Sequence, residues 1–508
     1  MQGDSTVTSE PNHIDCDWLI ANPAVPGAQR NMRIGISGTI VESIEPLPDR
    51  ALASAAHCRL LALPALSNAH DHGRTFRNST LGSFGLPLES WLPYMGVVPA
   101  LDPYLCAATS LARSARNGVA NVMVHYTRAQ GGMPYVDETR AVAKAASDVG
   151  VRVGFAIAMR DRNGIAYCED SKALDALRPG IRAAVSQRMS VRPVSPDAQV
   201  ALVDEVAQMV ASEGHGAYMN VQYGPTAVQW CSTPLLEAIA RASADTGRRV
   251  HMHLLETRYQ REWADATHPE GIVTFLDQLG LLSPRLTLAH CVWARTDELA
   301  LLAERGVTMA VNTSSNLGLK SGIAPVGEML KQGCRVAMGL DAGALDEDDD
   351  AFRELRLGYF LHRGWGFDIG MTRAQLWSFA VTEGAASINN MRSPSSGHIV
   401  KGTPADIVVL DWDAIDDESL FDDVDPFDLV LTRAKGAHVS KMFVSGRLVV
   451  DEGRVLGVDE PELRGELLGM TRTRLASDSA HLEWRNIVKE LSEDLSAFYK
   501  NEHLGGCC

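Results

Sequence analysis

The chain places two imidazoles around one carboxylate in "NAHDHG", residues 68–73, one residue after the apolar run "LALPAL". A second pair, His251 and His253, stands in "HMHLLET" with Glu256 three residues further on, and the short segments "LAHC" and "GLDAG" carry His290 and Asp341. Imidazole nitrogen with carboxylate oxygen is the donor set that suits a borderline divalent ion such as zinc or iron. Any one of these histidines alone is more often a packed or hydrogen-bonded residue, so the weight lies on their joint occurrence at the ends of apolar runs.

Side chains alternate along a strand, so His70 and His72 share a face and can approach one ion while Asp71 points away, toward a neighbouring loop or a group behind the ligands. The same rule puts His251 and His253 on one face and does not choose between them. Position does: His253 lies nearer the strand's C-terminal end and Glu256, whereas His251 lies deeper, where a packed, hydrogen-bonded histidine fits. Glu256 falls just past the strand end, where a carboxylate can exchange protons with an attacking water and a leaving group.

The elements that must position these groups are eight apolar, β-branched-rich runs: 64–69, 119–124, 151–158, 217–223, 249–254, 286–289, 307–311 and 335–340. Helix-period segments such as "TRAVAKAASDVG", "TPLLEAIARASADTG" and "TDELALLAERG" lie between them, each closing on glycine. This alternation predicts an α/β chain built on a (β/α)8 TIM-like barrel, whose active site lies at the C-terminal ends of its strands. Short β-like runs before residue 62 and after residue 393 predict a small β-sandwich domain assembled from both chain ends. The expected division is 1–62 and 393–456 for the two parts of the small domain, 63–392 for the barrel, and 457–508 for a charged helical tail. The interval 161–216 is long enough to hold extra elements.

The chain has 508 residues, a formal net charge of -16, 45% hydrophobic and 22% charged residues, which fits a soluble globular protein with a large core. No Lys/Arg block suggests a nucleic-acid partner, and the acidic balance favours a small-molecule substrate. The N-terminus lacks a basic-then-apolar leader, and no apolar run reaches the ~20 residues of a membrane span, so a cytoplasmic protein without a membrane partner is expected. Nine cysteines without CxxC spacing fit reduced thiols. The terminal Cys507 and Cys508 resemble a doubly prenylated tail but read better as a frayed end. The acidic run Asp346–Asp350 reads as a solvated loop and helix start rather than a second metal site.

"NAHDHG", "HLLET", "AHCVWA", "VNTSSNLGLKSGIAPV", "GLDAG" and "GHIVKGTPADIVVLD…MFVSGRLVV" together resemble the amidohydrolase superfamily, in particular its chlorohydrolase and aminohydrolase branch of s-triazine hydrolases and guanine and cytosine deaminases. The resemblance runs from the N-terminal β segment to about Val455. It implies one divalent metal ion per subunit, usually zinc and sometimes iron (Fe2+), held by His70, His72, His253, His290 and Asp341. It also implies Glu256 as acid/base, Asp341 as a proton partner, and His290 as the group that polarises the developing tetrahedral centre. The strand-4 run "AYMNVQY" lacks the lysine that the binuclear branch would carry, which supports a single ion.

The implied activity is hydrolysis of a C–N bond in a small nitrogen-containing ring by metal-activated hydroxide, foremost hydrolytic deamination. Opening of a cyclic amide, urea or imide, and displacement of halide or alkylamine, are the alternatives, and a catalytically silent scaffold is disfavoured because every expected ligand is present. Trp91 in "LESWL", His125, Arg160, Gln222, Thr226 and Trp230 are the expected substrate-lining residues. Thr226 in "GPTAVQWCS" stands where many deaminases of the branch have histidine, which weighs against adenosine-type and S-adenosylhomocysteine-type substrates. A homo-oligomer, dimer or larger, is also implied.

Overall fold

The computed structural model describes residues 13–48, 58–127, 129, 132–191, 193–341, 347–389, 397–421 and 423–501. The "GGCC" tail, the N-terminal dozen residues and Asp346 lie outside the described residues.

Eight parallel strands form the barrel: β5 (Leu66–Asp71), β6 (Val119–Tyr126), β7 (Arg152–Met159), β8 (Met219–Pro225), β9 (Val250–Leu254), β10 (Leu286–His290), β11 (Thr308–Val311) and β12 (Arg335–Met338). They pair in sequence order, and each lies within two residues of the run expected for it. Because helices cover the outer face and side chains fill the inner one, both faces of each strand leave water, and every residue of β6 is buried. This explains why the strands read as continuous apolar runs rather than alternating ones.

The helices start and stop as their sequences dictate. In the helix Thr233–Thr246, Ser232 accepts from the Leu235 amide and Gly247 ends it in the left-handed region at φ 71°. The cap is thus Ser232, one residue before the threonine that opens the periodic pattern. The helix Tyr135–Val149 likewise ends on Gly150 at φ 92°. The long interval after β7 holds three helices, Asp170–Ala176, Arg182–Met189 and Pro196–Ser212.

The chain ends join in one eight-stranded sheet. The N-terminal segment supplies β1 (His13–Leu19), β2 (Gln29–Ser37), β3 (Ile40–Pro46) and β4 (Leu60–Pro64); the C-terminal segment supplies β13 (Ile407–Asp411), β14 (Val439–Val444), β15 (Arg447–Asp451) and β16 (Arg454–Val455). Their order is β16-β15-β14-β13-β4-β1-β2-β3. The sheet folds back on itself at an isolated bridge between Ile40 and Pro404. Between its layers lies a core that includes Ile14, Ile34, Val41, Ile407, Val409 and Phe443. Only Ala65 separates β4 from β5, so this sheet anchors the strand that carries the first two histidines.

Arg152 at the start of β7 ties the barrel to the small sheet. Its guanidinium pairs with Asp406 and donates to Ser445 Oγ at 2.6 Å and Asn121 Oδ1 at 2.8 Å. Two helices, Glu460–Ser477 and Ser479–Asn501, close the chain. The last one rests on the loop after β5 and on the insertion after β7: Ser496 Oγ lies 2.7 Å from Ser90 Oγ, the Tyr167 amide donates to Tyr499 Oη at 3.0 Å, and Arg178 pairs with Asp494 at 2.7 Å. Among the described residues, no helix is long and apolar enough to cross a membrane.

Removing one member of a largely buried ion pair strands the other's charge, so Asp406→Ala should lower unfolding stability by about 3 kcal/mol, read from the urea midpoint; an unmoved midpoint would show the pair to be dispensable. Tyr499→Phe leaves the buried Tyr167 amide without its acceptor and should cost about 1–2 kcal/mol in the same assay.

Candidate active site

Five side chains from four strand ends converge on one point. His70 Nε2 and His72 Nε2 each lie 3.4 Å from Asp341 Oδ1, His253 Nε2 lies 3.3 Å from His72 Nε2, and His290 Nε2 lies 3.8 Å from Asp341 Oδ2. Two donors that each bind one zinc ion at about 2.1 Å can stand at most about 4.2 Å apart, and all of these separations fall within that limit. His70 supplies a second test. Its buried Nε2, which faces the cluster, has no hydrogen-bond partner among the described residues, a deficit that an ion would remove.

The remaining rings are oriented from behind. His72 Nδ1 donates to the His125 carbonyl and His253 Nδ1 to the Thr226 carbonyl, both at 2.7 Å, which leaves each Nε2 lone pair facing the cluster. His290 Nδ1 donates to Asn316 Oδ1 at 2.8 Å. Asp341 accepts from Ser315 Oγ at 2.7 Å through Oδ2, and Arg74 Nη1 donates to its backbone carbonyl at 2.7 Å. Leu255, His290 and Asp341 adopt positive φ values of 53°, 79° and 40°, the sharp turns that redirect the chain where these strands end.

Asp71 does point away from the cluster. Its Oδ1 accepts from the His72 and Gly73 amides at 2.7 and 2.9 Å, and its Oδ2 from Asn68 Nδ2 at 2.8 Å, so it pins the turn that presents His72. His251 lies under the cluster, stacked on His70 with centroids 4.9 Å apart. Its Nδ1 donates to His125 Nδ1 at 3.2 Å, because the other nitrogen of His125 faces the Gly224 carbonyl, which only accepts.

Burial sets the protonation of the site. It holds His72 and His253 well below the ordinary imidazole range and brings His290 down to about 4, so all three are neutral and able to bind metal. Burial would raise Asp341, but His70 and Arg74 outweigh it and keep the carboxyl well below its usual range. Burial raises Glu256 well above the carboxylate range, helped by the nearby charges of Asp341 and Glu89. Its Oε2 lies 3.6 Å from His290 Nε2. One acid is thus held ionised and the other holds a proton, a division of labour suited to acid–base chemistry.

The cluster opens into a cavity of about 600 Å³, lined by His72, His253, Glu256, His290 and Asp341. Trp91, Arg160, Thr226 and Trp230 also line it. The Trp91 indole donates to Asn78 Oδ1 at 3.2 Å and carries the Arg74 guanidinium 4.7 Å above its ring. The Arg160 guanidinium stands 5.3 Å over Trp230, and its buried Nε has no partner among the described residues. His125 and Gln222, expected among the lining, are placed elsewhere. His125 is enclosed in the histidine stack, and Gln222 donates to the Ser387 carbonyl at 3.0 Å inside the barrel. Both side chains face inward as strand parity requires, but they sit too deep to reach the cavity.

Arg74, Ser315, Asn316 and Trp484 were not singled out in the sequence. Arg74 follows His72 by two residues, and Ser315 and Asn316 lie in the "NTSSN" that follows β11, so their place just past strand ends was a usable signal. Trp484, on the last helix, reaches the cavity across the fold and left no local signal.

The pattern of the Amidohydrolase family matches residues 61–449. A 5'-deoxyadenosine deaminase of Methanopyrus kandleri is 31% identical over 408 residues, covering 79% of this chain and 84% of that one. A 5-methylthioadenosine/S-adenosylhomocysteine deaminase of Archaeoglobus fulgidus is 26% identical over 439 residues, covering 85% and 92%. Among solved structures, an adenosine deaminase from Xanthomonas campestris with bound zinc superposes with a TM-score of 0.69 at 20% identity, covering 94% of this chain and 98% of that one. The zinc complex of atrazine chlorohydrolase from Arthrobacter aurescens TC1 gives 0.70 at 22% identity, covering 90% and 99%. With side chains from four of the eight strand ends converging on one cluster and the family pattern spanning the whole barrel, the chain belongs to the Amidohydrolase family.

Proposed function

We propose that this protein hydrolytically removes an amino group from a small nitrogen-containing ring, using one divalent ion, zinc foremost and Fe2+ as the other suitable choice. The observation that carries this reading is the convergence of four imidazoles and Asp341 at the floor of a cavity, with the Glu256 carboxyl beside them. His70, His72, His253, His290 and Asp341 would hold the ion. When bound, such an ion lowers the pKa of water from 15.7 toward ~7, so that hydroxide is present at neutral pH.

The side chains do the rest. Asp341 takes up a proton from the attacking water, and the neighbouring Arg74 and Ser315 keep that carboxylate in place. Glu256 delivers a proton to the departing nitrogen as the C–N bond breaks, and His290, set by Asn316, helps to polarise the tetrahedral centre, whose negative charge lies on oxygen. Arg160 lines the cavity and offers its guanidinium to a carbonyl or carboxylate of the substrate, and Trp91 and Trp230 offer flat apolar walls to its ring. The deaminases among the relatives support ammonia as the leaving group. Thr226 favours a second reading, displacement of halide or alkylamine or opening of a cyclic amide, since its side chain supplies no imidazole to the cavity wall.

The buried thiols Cys16, Cys106, Cys168, Cys231, Cys291 and Cys334 fit a reducing, cytoplasmic setting. The solvent-facing Trp365, Phe367, Ile369, Leu420 and Phe421 fit a homo-oligomer that covers them. The cavity of about 600 Å³ and the net charge of -16 fit a small-molecule substrate and no nucleic-acid partner.

Ammonia release by zinc-loaded protein across amino-substituted purines, pyrimidines, pterins and triazines, 5'-deoxyadenosine and S-adenosylhomocysteine tests the reading. Release above the Glu256→Gln blank supports it; silence with metal bound, alongside halide, amine or ring-opened acid from other compounds, replaces it with the second reading. Glu256→Gln should keep one zinc per chain and lose about 10²–10⁴ in rate. His72→Ala should fall well below one zinc per chain after dialysis, measured by plasma emission; full retention would remove His72 from the ligand set.

A further inference from the structure

Glu354 is a buried acid that the chemistry above does not use. It lies on the helix Ala351–His362, is 1% exposed, and is flanked by the apolar Phe352 and Leu355. Burial pushes its carboxyl up to about 7. A carboxyl in such surroundings costs stability unless its hydrogen bonds offset that cost, and packing alone would be served by an apolar residue.

What it holds is the turn behind the metal cluster. The short helix Thr313–Gly318 begins after Asn312, a residue type that ordinarily caps a helix with its own side chain. Here Asn312 makes no such bond, and its Nδ2 instead lies 3.2 Å from His290 Nδ1. The helix amide at Ser314 is met from outside, donating to Glu354 Oε1 at 3.0 Å. The next two residues are the ones that touch the cluster: Ser315 Oγ donates to Asp341 Oδ2 at 2.7 Å, and Asn316 Oδ1 accepts from His290 Nδ1 at 2.8 Å. The local cap has been turned toward a ligand, and a neighbouring helix supplies the missing acceptor.

We infer that Glu354 is a positioning residue for the metal centre: by holding the Ser314 amide it fixes the Asn312–Asn316 turn, and through that turn the orientations of Asp341 and His290. This rests on the reading of those side chains as ligands of one ion. Partners that orient metal ligands directly are worth about 10–100-fold in affinity, and Glu354 acts one step further back, so its removal should cost about tenfold.

The test compares Glu354→Gln, which keeps an acceptor for the Ser314 amide, with Glu354→Leu, which keeps the volume and loses the acceptor. Zinc affinity of the stripped full-length protein is measured by competition with a chromophoric chelator, and the visible spectrum of the cobalt-loaded protein reports ligand geometry. The expected result is zinc affinity for Gln within about threefold of the parent, and for Leu about tenfold weaker, with a displaced or weakened cobalt band. A role in packing alone would leave the cobalt band where it is. Equal behaviour of Leu and Gln in both assays, with the parent binding normally, overturns the inference and leaves the metal reading standing. A parent protein that takes up neither ion overturns both. If circular dichroism shows Glu354→Leu unfolded, Glu354→Asp takes its place, since it keeps the charge and shortens the reach; parity with Gln would again overturn the inference.

Discussion

The site depends on the seam where the barrel closes. The amides of Leu340 and Asp341 both donate to the His70 carbonyl, at 3.1 and 2.9 Å, and Asn68 Oδ1 takes a further bond from Leu340 at 2.9 Å. These bonds join the first barrel strand to the last and, in the same act, place the carboxylate of Asp341 against His70 and His72. The approach is so close that a Cβ on Gly339 would lie 2.0 Å from Asn312 Oδ1 and 2.9 Å from His70 Cβ, so only glycine fits there. Closing the sheet and assembling the donors are therefore one structural event.

Burying four imidazoles and two carboxyls side by side is expensive, and the surrounding shell is built to meet that cost. Backbone carbonyls of His125 and Thr226 orient two rings, Asn316 orients a third, and Ser315 and Arg74 attend Asp341. Placing metal donors at strand ends that are themselves fixed by a hydrogen-bonded sheet gives them little freedom to move. The loops and the last helix that form the cavity walls are held more locally, by contacts such as Arg178 with Asp494 and Tyr167 with Tyr499. Precision thus resides in the barrel and shape in its covering.

Much of this was legible because the chemistry sits on regular elements. Alternation placed His70 and His72 on one face and turned Asp71 away, and proximity to the strand end separated His253 from His251. Parity says which face a residue occupies but not how far along the barrel axis it lies, and that is where His125 and Gln222 went astray: both point inward, beneath the cavity floor. The terminal strands were readable as β structure, yet the order β13-β4-β1 joins segments from the two chain ends, and nothing local encodes which edge meets which.

The residue pattern alone indicated the eight β/α units and brought His70, His72, His253, Glu256, His290 and Asp341 to one end of the barrel, because strand and helix periods are local and place equivalent positions together. Tertiary structure alone decided that Arg74 and Ser315 meet Asp341, that Asn316 meets His290, that Glu354 takes the Ser314 amide, and that Trp484 of the last helix reaches the cavity. These are contacts between segments far apart in the chain. Their partners are chosen by the closure of the sheet and the docking of helices on it, and no spacing within one segment carries that information.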